Sequence, residues 1–391
     1  MSREPGSGSA EHGPSTRAVH AGGPPAGADA PVVSPIFQTA TFFTDAVPAA
    51  EVRYTRYGTN PNHQRLAERL RALEEAEAAI VLASGNAAMA LSILACAGAG
   101  DHIVAQEALY GGTMRLINRE LPRLGIEATF VDPYGDWSVA VRARTRVLLM
   151  EVPVNPTMRV PDPRPVARLA RERGIPLLVD ATFATPVNFR PLLHGADLVI
   201  HSATKYLGGH SDLTAGVVAG RADLVEEVRQ KLMSFGPVLD PHATWLLERG
   251  VKTLPIRVIR HNENGLAIAR RLASHPAVEA VHYPGLPDHP DYDVARELFD
   301  GFGGMVGMVV RGGDDAALRV MGRLRLVAAA PSLGGVETLA SMPRFTSHTA
   351  LSAAERHRLG IADGFIRLSL GIEDTADLIA DLEQALAPEL A

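Results

Sequence analysis

The feature that most constrains the fold is a lysine that comes directly after a short apolar segment. Residues 196–200 predict a buried strand, and the hexapeptide His201-Ser202-Ala203-Thr204-Lys205-Tyr206 follows it. Burying an ammonium group is unfavourable unless a partner holds it. Ser202 and Thr204 place two hydroxyl groups next to Lys205 in the sequence, and hydroxyl groups can bind an anion. The pattern therefore indicates a ligand-binding loop at the end of a strand.

One kind of ligand satisfies both the amine and the hydroxyl groups, namely an aldehyde that carries a phosphate. The Lys205 amine would bond covalently to the aldehyde, and the hydroxyl groups of Ser202 and Thr204 would bind the phosphate. Pyridoxal 5′-phosphate (PLP) has this composition. A surface lysine in an ordinary loop is the alternative, and the hexapeptide alone leaves both interpretations open.

Predicted strands and helices alternate in the middle of the chain. Helix-forming patterns cover 64–78, 87–96, 113–124 and 165–173, and short apolar runs predict strands over 79–83, 103–105, 128–131, 147–152 and 177–180. These runs are apolar throughout instead of alternating, which is typical of strands covered on both faces of a mainly parallel sheet. The repeated units predict a doubly wound α/β domain whose ligand lies at the carboxyl ends of the strands.

The segment Ser84-Gly85-Asn86 joins one predicted strand to the next helix. Gly85 allows the backbone to approach a ligand closely, and the start of a helix presents N–H groups and a positive dipole end to an anion. The segment is a candidate phosphate site, and a plain strand-to-helix turn is the alternative. No GxGxxG run opens a strand–helix unit and no GxxxxGK[ST] loop occurs, so nicotinamide and nucleoside triphosphate cofactors lack their usual phosphate loops.

Asp180 ends the apolar strand over 177–180. A buried carboxylate without a partner is unfavourable, and a protonated pyridine nitrogen would be a suitable partner. The carboxylate would raise the pKa of that nitrogen and keep it cationic. An N-cap for the following segment is the alternative, and Thr182 could serve in either arrangement.

Nine segments of the chain resemble, in the same order, the Cys/Met-metabolism (transsulfuration) family of PLP-dependent enzymes. They cover 54–61, 84–86, 110–113, 155–156, 180–186, 201–205, 208–212, 332–335 and 367–373. The ordered set is far more specific than any one segment. The resemblance implies PLP fold type I, the aspartate-aminotransferase-like α/β fold. This fold has a large domain with a mainly parallel doubly wound sheet and a smaller C-terminal α/β domain.

The resemblance also implies roles for individual cofactor-binding residues. Lys205 would bind PLP covalently and later move the substrate's α-proton, and Tyr110 would stack on the ring as an acid/base group. Asp180 would pair with the pyridine nitrogen, and Asn155 would hydrogen-bond the phenolic oxygen. The other cofactor-binding candidates are Ser84, Gly85, Asn86, Thr182, Ser202 and Thr204, of which Gly85, Asn86, Ser202 and Thr204 would hold the phosphate.

Further implied roles concern a second subunit and the substrate. Tyr54 and Arg56 would reach the phosphate of the neighbouring subunit's cofactor, a task that suits the two-pronged guanidinium group. A homodimer is therefore expected at least, with dimers paired into a homotetramer. Arg367 would bind the α-carboxylate of a small amino-acid substrate at two points, helped by the backbone near Ser332.

The residue before Ser332 differs between the reactions of this family. Many bacterial cystathionine γ-synthases and animal γ-lyases carry a glutamate there, whereas this chain has Pro331, as plant-type cystathionine γ-synthases do. Gly112 stands where methionine γ-lyases usually carry a cysteine. The resemblance favours γ-replacement on an activated homoserine ester with cysteine, which gives cystathionine. The alternatives are elimination to 2-oxobutanoate, as in cystathionine γ-lyase or methionine γ-lyase, and γ-replacement with a non-thiol nucleophile in specialised metabolism.

Composition argues against several other classes of protein. The chain has 38 basic and 44 acidic residues without a basic stripe, so no nucleic-acid partner is expected. Cys96 is the only cysteine, which excludes a disulfide within the chain and indicates a reducing, cytoplasmic compartment. No apolar run is long enough to cross a membrane. His201 and His210 flank Lys205, but no other ligand has suitable spacing, so no metal site is expected.

The expected organisation has three parts. Residues 1–60 would form a tail and an arm that reaches the neighbouring subunit, residues 61–248 the PLP-binding large domain, and residues 249–391 the small domain. The first 14 residues are rich in Gly, Ser and Pro and predict a disordered tail. In the C-terminal part, the pattern predicts helices over 254–274 and 375–386 and a strand over 305–310.

Overall fold

The computed structural model of the chain describes residues 12–24, 27–45, 52–346, 349 and 352–388. The chain forms two compact units. The first comprises Met1–Glu107, Gly112–Met150 and Asp162–Pro255, and the second comprises Ala108–Gly111, Glu151–Pro161 and Ile256–Ala391. Two short segments from the middle of the sequence thus belong to the second unit, which no sequence pattern indicated. The domain bounds expected at residues 60 and 248 stay predictions.

The first unit is built around a seven-stranded sheet in the order β1-β7-β6-β5-β4-β2-β3. The pairs β2–β3, β2–β4 and β5–β6 are parallel, and β7 runs antiparallel to both of its neighbours. The predicted α/β fold class is confirmed, while β7 was not predicted from the sequence. The strands are β1 (Ala78–Leu82), β2 (His102–Gln106), β3 (Glu127–Val131), β4 (Thr145–Glu151), β5 (Leu177–Asp180), β6 (Leu198–Ser202) and β7 (Gly216–Gly220).

Helices connect these strands. The helices predicted over 87–96 and 165–173 are observed at Gly85–Cys96 and Pro163–Arg173, within two residues of the predicted bounds, whereas the helix predicted over 64–78 is observed at Pro61–Glu74. The predicted continuous helix over 113–124 is wrong, because α4 ends at Arg115 and is followed by a π turn, Leu116–Glu120, and a 3₁₀ turn, Pro122–Leu124. Pro122 has no N–H group with which to continue regular helical hydrogen bonding. The helices are α1 (Pro14–His20), α2 (Pro61–Glu74), α3 (Gly85–Cys96), α4 (Gly111–Arg115), α5 (Pro163–Arg173), α6 (Thr185–Asn188), α7 (Ala222–Phe235) and α8 (Pro241–Val251).

Part of the N-terminal region is ordered against the start of α2. The predicted disordered tail lies outside the described residues up to residue 11, and Pro14 already begins α1. Asn62 accepts a hydrogen bond from the Phe37 N–H at 2.8 Å and donates to the Pro35 carbonyl at 2.8 Å. Asn60 donates to the Phe37 carbonyl at 2.8 Å. Two buried amide side chains therefore hold this extended segment in place.

A buried ion pair joins α2 to α8. The Arg69 guanidinium is completely buried and lies 3.4 Å from the Glu248 carboxylate, which is 2% exposed. The Ser34 hydroxyl donates to the same carboxylate at 2.9 Å. Burial lowers the pKa of Arg69, and the charge of Glu248 opposes that shift. Glu248 is the carboxylate that compensates the charge of Arg69, and an isolated buried charge is strongly unfavourable.

The second unit contains a five-stranded sheet in the order β10-β11-β12-β9-β8. Arg367 lies at the centre of β12, in register with Gly307 on β9 and Ser341 on β11. The predicted strand over 305–310 and the predicted helix over 375–386 have the expected bounds. The elements are α9 (Leu254–Ala273), β8 (Val278–His282), α10 (Tyr292–Leu298), β9 (Met305–Val310), α11 (Gly313–Arg323), β10 (Ala328–Ala329), β11 (Leu339–Ser341), α12 (Ala353–Arg358), β12 (Phe365–Ser369) and α13 (Thr375–Leu386).

An apolar core fills the space between the sheet of the second unit and its helices. Ile366 and Leu368 of β12 and Val306 and Met308 of β9 are completely buried, and Leu382 of α13 is nearly so. Within the described ranges, no helix has the length and apolar character needed to cross a membrane.

Removing one charge of the Arg69–Glu248 pair should destabilise the protein strongly. We expect Glu248→Ala to lower the free energy of unfolding by about 3–5 kcal/mol, because Arg69 would be left as an uncompensated buried charge. Urea unfolding followed by circular dichroism measures the change. Glu120→Ala is the matched control, since Glu120 pairs with a largely exposed Arg123 at 3.5 Å and should cost less than about 1 kcal/mol. Equal losses in the two variants would contradict this account.

Candidate cofactor and substrate site

Three predicted site residues of the first unit meet at the carboxyl ends of β5 and β6. The Thr182 hydroxyl donates to Asp180 Oδ1 at 2.6 Å, and the Thr182 N–H donates to the same oxygen at 2.9 Å. The hydroxyl also accepts a hydrogen bond from the Ser202 N–H at 2.9 Å. Thr182 thus links the carboxylate of Asp180 to the segment that leads to Lys205.

The environment of Asp180 favours a cationic ligand. Removal from water raises the pKa of the Asp180 carboxyl, whereas the hydrogen bonds from Thr182 and the nearby His201 act in the opposite direction. Among the ion pairs that the described residues form, none involves Asp180. A cation beside this carboxylate would stabilise its ionised form, which is the role predicted for a protonated pyridine nitrogen.

The start of α3 offers backbone N–H groups to an anion. Ser84 caps the helix, since its hydroxyl accepts a hydrogen bond from the Ala87 N–H at 3.1 Å and its carbonyl accepts one from the Ala88 N–H at 3.0 Å. The N–H groups of Gly85 and Asn86 precede the first intrahelical hydrogen bond. They therefore suit the phosphate group that the sequence predicts at this point.

Two glycines allow the start of α3 to lie directly against the ends of β6 and β7. A Cβ atom at Gly85 would lie 2.7 Å from the Ser202 Cβ, which is too close for any side chain. A Cβ atom at Gly216 would lie 2.1 Å from the Ser84 carbonyl oxygen. The structure therefore brings Ser84, Gly85 and Ser202 together, and their cofactor-binding roles stay predictions.

The loop that carries Lys205 is held by its own backbone. The Lys205 N–H donates to the Ser202 carbonyl at 3.1 Å, and the Lys205 carbonyl accepts from the Gly209 N–H at 2.8 Å. The Thr204 hydroxyl accepts from the Ala215 N–H at 3.0 Å. Lys205 is half-buried, three residues beyond the end of β6. The covalent role of Lys205 and the phosphate-binding role of Thr204 stay predictions.

Tyr54 and Arg56 form a cation–π cluster in the first unit. The Arg56 guanidinium carbon lies 5.5 Å from the centre of the Tyr54 ring and 4.9 Å from that of Tyr57. Arg56 is exposed and donates to the Met233 carbonyl at 2.7 Å. The function predicted for this pair involves a second subunit and stays a prediction.

The second unit places Arg367 and Asn155 in direct contact. Arg367 is 5% exposed, and its Nη1 donates to Asn155 Oδ1 at 3.0 Å while its Nη2 donates to the Ser332 carbonyl at 2.9 Å. Ser332 has a φ angle of 93°, a strained conformation for a residue with a side chain. The two contacts fix the plane of the guanidinium group, as the predicted binding of a carboxylate requires.

The contact with Arg367 also sets the orientation of the Asn155 amide. A guanidinium group has only donors, so the carbonyl oxygen of Asn155 must face it and the NH₂ group must point elsewhere. Asn155 is 4% exposed. Its NH₂ group is therefore a donor whose direction is fixed, which suits the predicted hydrogen bond to the phenolic oxygen of PLP.

One residue of this region was missed from the sequence. Glu151 ends β4, is 5% exposed, and accepts hydrogen bonds from the N–H groups of Tyr110 at 2.7 Å and Asn155 at 2.9 Å. A carboxylate at the end of an apolar strand was the signal that identified Asp180, and the same signal was present at Glu151. Tyr110 itself is 44% exposed, with its backbone tied to Glu151.

The remaining candidate residues have structural contacts. Burial raises the pKa of the Cys96 thiol to about 12, which makes it a poor nucleophile. His201 Nε2 lies 2.5 Å from the buried Glu74 carboxylate, and His210 Nδ1 lies 2.8 Å from the Gly208 carbonyl oxygen. One ring nitrogen of each histidine therefore has a hydrogen-bond partner within the protein.

Each unit offers groups that fit a part of PLP. In the first unit, the N–H groups at the start of α3 suit the phosphate, and Asp180 suits the pyridine nitrogen. In the second unit, the NH₂ group of Asn155 suits the phenolic oxygen. The individual residue roles stay predictions, but the kinds of polar groups present match this cofactor.

Comparison with known proteins shows the family. Residues 15–387 match the model of the Cys/Met metabolism PLP-dependent enzymes. The chain therefore belongs to this family, and its cofactor is PLP, as predicted.

Relatives of more than one activity resemble the chain to the same degree. An L-methionine gamma-lyase from Fusobacterium nucleatum is 41% identical over 367 residues, covering 90% of this chain and 92% of the relative. A cystathionine gamma-synthase from Mycobacterium tuberculosis is 41% identical over 382 residues, covering 96% and 97%. The crystal structure of a cystathionine gamma-lyase from Micromonospora echinospora superposes with a TM-score of 0.91 at 37% identity, covering 96% and 100%. The comparisons therefore establish the family but do not distinguish between its reactions.

A side chain at Gly85 should weaken cofactor binding. We expect Gly85→Ala to raise the PLP dissociation constant at least about 10-fold, because its Cβ would separate the start of α3 from Ser202. Titration of the apoenzyme with PLP, followed by visible absorption, measures the constant. Gly98→Ala is the control, since no atom lies within 4 Å of its added Cβ. Wild-type affinity in Gly85→Ala would contradict the predicted phosphate position.

Proposed function

We propose that this enzyme catalyses γ-replacement on an activated homoserine ester, with cysteine as the nucleophile and cystathionine as the product. The leaving group departs from the γ-carbon, and the cysteine sulfur bonds to the same carbon. The observation that carries the choice is Pro331 immediately before Ser332, together with Gly112 in place of a cysteine.

PLP, when bound, stabilises negative charge at the substrate's α-carbon. The proposed tasks of the protein are to bind the substrate, to orient it and to move protons. Lys205 removes the proton from the α-carbon, and the Tyr110 phenol acts as a second acid/base group near the reacting carbons. Asp180 keeps the pyridine nitrogen protonated, and Asn155 donates to the phenolic oxygen.

Arg367 is the group proposed to select an amino acid. Its guanidinium group is buried and held in one plane by Asn155 Oδ1 and the Ser332 carbonyl oxygen. A planar, fixed guanidinium binds a carboxylate with two parallel hydrogen bonds. The substrate's α-carboxylate has that geometry, and the backbone at Ser332 would complete its binding site.

Elimination is the second candidate function. The methionine gamma-lyase and cystathionine gamma-lyase relatives are as similar to this chain as the synthase is. An enzyme of this type would release 2-oxobutanoate from cystathionine or methionine. γ-Replacement with a non-thiol nucleophile, in specialised metabolism, is a variant of the first proposal.

We further propose a homodimer as the minimal active form, with two dimers forming a tetramer in the cytoplasm. Arg56 supports this proposal because it is exposed and its neighbours in its own unit are aromatic rings and one carbonyl group. An exposed arginine of this kind can bind a phosphate that belongs to a second subunit.

A product assay tests the proposed reaction. PLP-loaded enzyme is given O-acetyl-, O-succinyl- or O-phosphohomoserine with and without cysteine, and in parallel cystathionine or methionine alone. We expect cystathionine to form only when cysteine is present. Release of 2-oxobutanoate and cysteine from cystathionine, with little synthesis, would replace the synthase proposal with a γ-lyase.

Replacing Arg367 by lysine should affect substrate binding more than cofactor binding. We expect Arg367→Lys to raise KM about 10- to 100-fold, because an ammonium group cannot form two parallel hydrogen bonds to a carboxylate. Steady-state kinetics with the preferred substrate measures KM. Arg311→Lys is the control, since the Arg311 side chain is exposed and donates to the Pro276 carbonyl. An unchanged KM in Arg367→Lys would rule out its role in binding the α-carboxylate.

A further inference from the structure

A buried carboxylate joins the two segments of the second unit that carry Tyr110 and Asn155. Glu151 Oε2 accepts from the Tyr110 N–H at 2.7 Å, and Glu151 Oε1 accepts from the Asn155 N–H at 2.9 Å. Glu151 is 5% exposed and Asn155 is 4% exposed, so little water can replace these contacts. The two N–H groups are 45 residues apart in sequence (155 minus 110), and this side chain connects them directly.

Only a carboxylate can serve both groups. It offers two acceptor oxygens and no donor, whereas a glutamine amide of the same shape has one acceptor and one NH₂ donor. In a glutamine variant, one of the two N–H groups would face an NH₂ group and lose its acceptor. A buried donor without an acceptor is strongly unfavourable, so one of the two segments would have to move.

The contact reaches beyond the two backbone groups. Asn155 Oδ1 accepts from Arg367 Nη1 at 3.0 Å, and Arg367 Nη2 donates to the Ser332 carbonyl at 2.9 Å. A chain of hydrogen bonds therefore runs from Glu151 through Asn155 and Arg367 to Ser332. Each member of this chain except Glu151 already has a role in the proposed function.

We propose that Glu151 is a positioning residue, whose carboxylate holds the backbone of Tyr110 and Asn155 so that their side chains meet the PLP ring and, through Asn155, orient Arg367. This inference rests on the proposed roles of Tyr110, Asn155 and Arg367. It does not depend on whether the reaction is a replacement or an elimination, because the ring contacts are needed for both.

The test compares Glu151→Gln with the wild-type holoenzyme. We expect kcat to fall about 10- to 100-fold, as a small misplacement of a reacting group produces. We also expect the PLP dissociation constant to rise and the visible circular dichroism of bound PLP to change, since that signal reports the surroundings of the ring. The last two measurements need no substrate.

Asp381→Asn is the matched control. Asp381 is 6% exposed and accepts hydrogen bonds from the N–H groups of Arg325, Leu326 and Val327, so it is also a buried carboxylate that binds backbone groups. It belongs to α13 and contacts none of the proposed site residues. We expect this variant to lose thermal stability but to retain wild-type kcat, PLP affinity and visible circular dichroism.

The outcomes separate a positioning role from a structural one. Folded Glu151→Gln with all three properties within two-fold of wild type would overturn the proposal, and so would equal losses in Asp381→Asn. If Glu151→Gln does not fold, the Glu151→Asp variant tests the positioning role instead, because aspartate keeps both acceptor oxygens on a shorter side chain. It should fold and change the same properties in the same direction, and wild-type behaviour would leave Glu151 a purely structural residue. A wild-type enzyme that makes no cystathionine would contradict the proposed reaction and leave the spectroscopic test of Glu151 intact.

Discussion

The arrangement of the first unit's site residues depends on the hydroxyl group of Thr182. A hydroxyl group can donate one hydrogen bond and accept others, and this one donates to Asp180 and accepts from the Ser202 N–H. The strand ends of a parallel sheet have backbone groups that the ladder no longer pairs. By satisfying one of these groups and the carboxylate together, Thr182 couples the position of Asp180 to the start of the loop that contains Lys205.

Close backbone packing is the second constraint, and it explains why glycines lie at two points of this region. The N–H groups at the start of α3, which we propose bind the phosphate, can do so beside Ser202 only if the helix begins at the edge of the sheet where Ser202 ends β6. Any side chain at Gly85 or Gly216 would push the helix away from that edge. Glycine at these two positions allows the backbone segments to pack directly against each other, and the backbone N–H groups of α3 would then bind the phosphate.

Sequence patterns predicted the elements that are determined by residues close together in the sequence. They failed for elements that depend on contacts between distant segments. Buried strands and the cost of a carboxylate at a strand end identified β5 and Asp180. Glu151 also ends an apolar strand, but its partners Tyr110 and Asn155 are distant in sequence and become visible only in the structure, where segments 108–111 and 151–161 belong to the second unit. Strand β7 was missed for a similar reason, since its glycine-rich sequence becomes a strand by pairing with β1 and β6.

The roles proposed for Arg367 and for the PLP-binding residues are the same for replacement and for elimination. A carboxylate bound by Arg367 has the same geometry in homoserine esters, cystathionine and methionine, so this contact cannot distinguish them. Discrimination must come from the distal part of the substrate, where Pro331 offers neither a charge nor a donor. Without an acidic partner for a distal ammonium group, binding energy alone selects weakly between these substrates. After the leaving group departs, replacement requires the cysteine sulfur to bond to the γ-carbon, whereas elimination requires a proton at that carbon and water only at the α-carbon, where 2-oxobutanoate and ammonia are released.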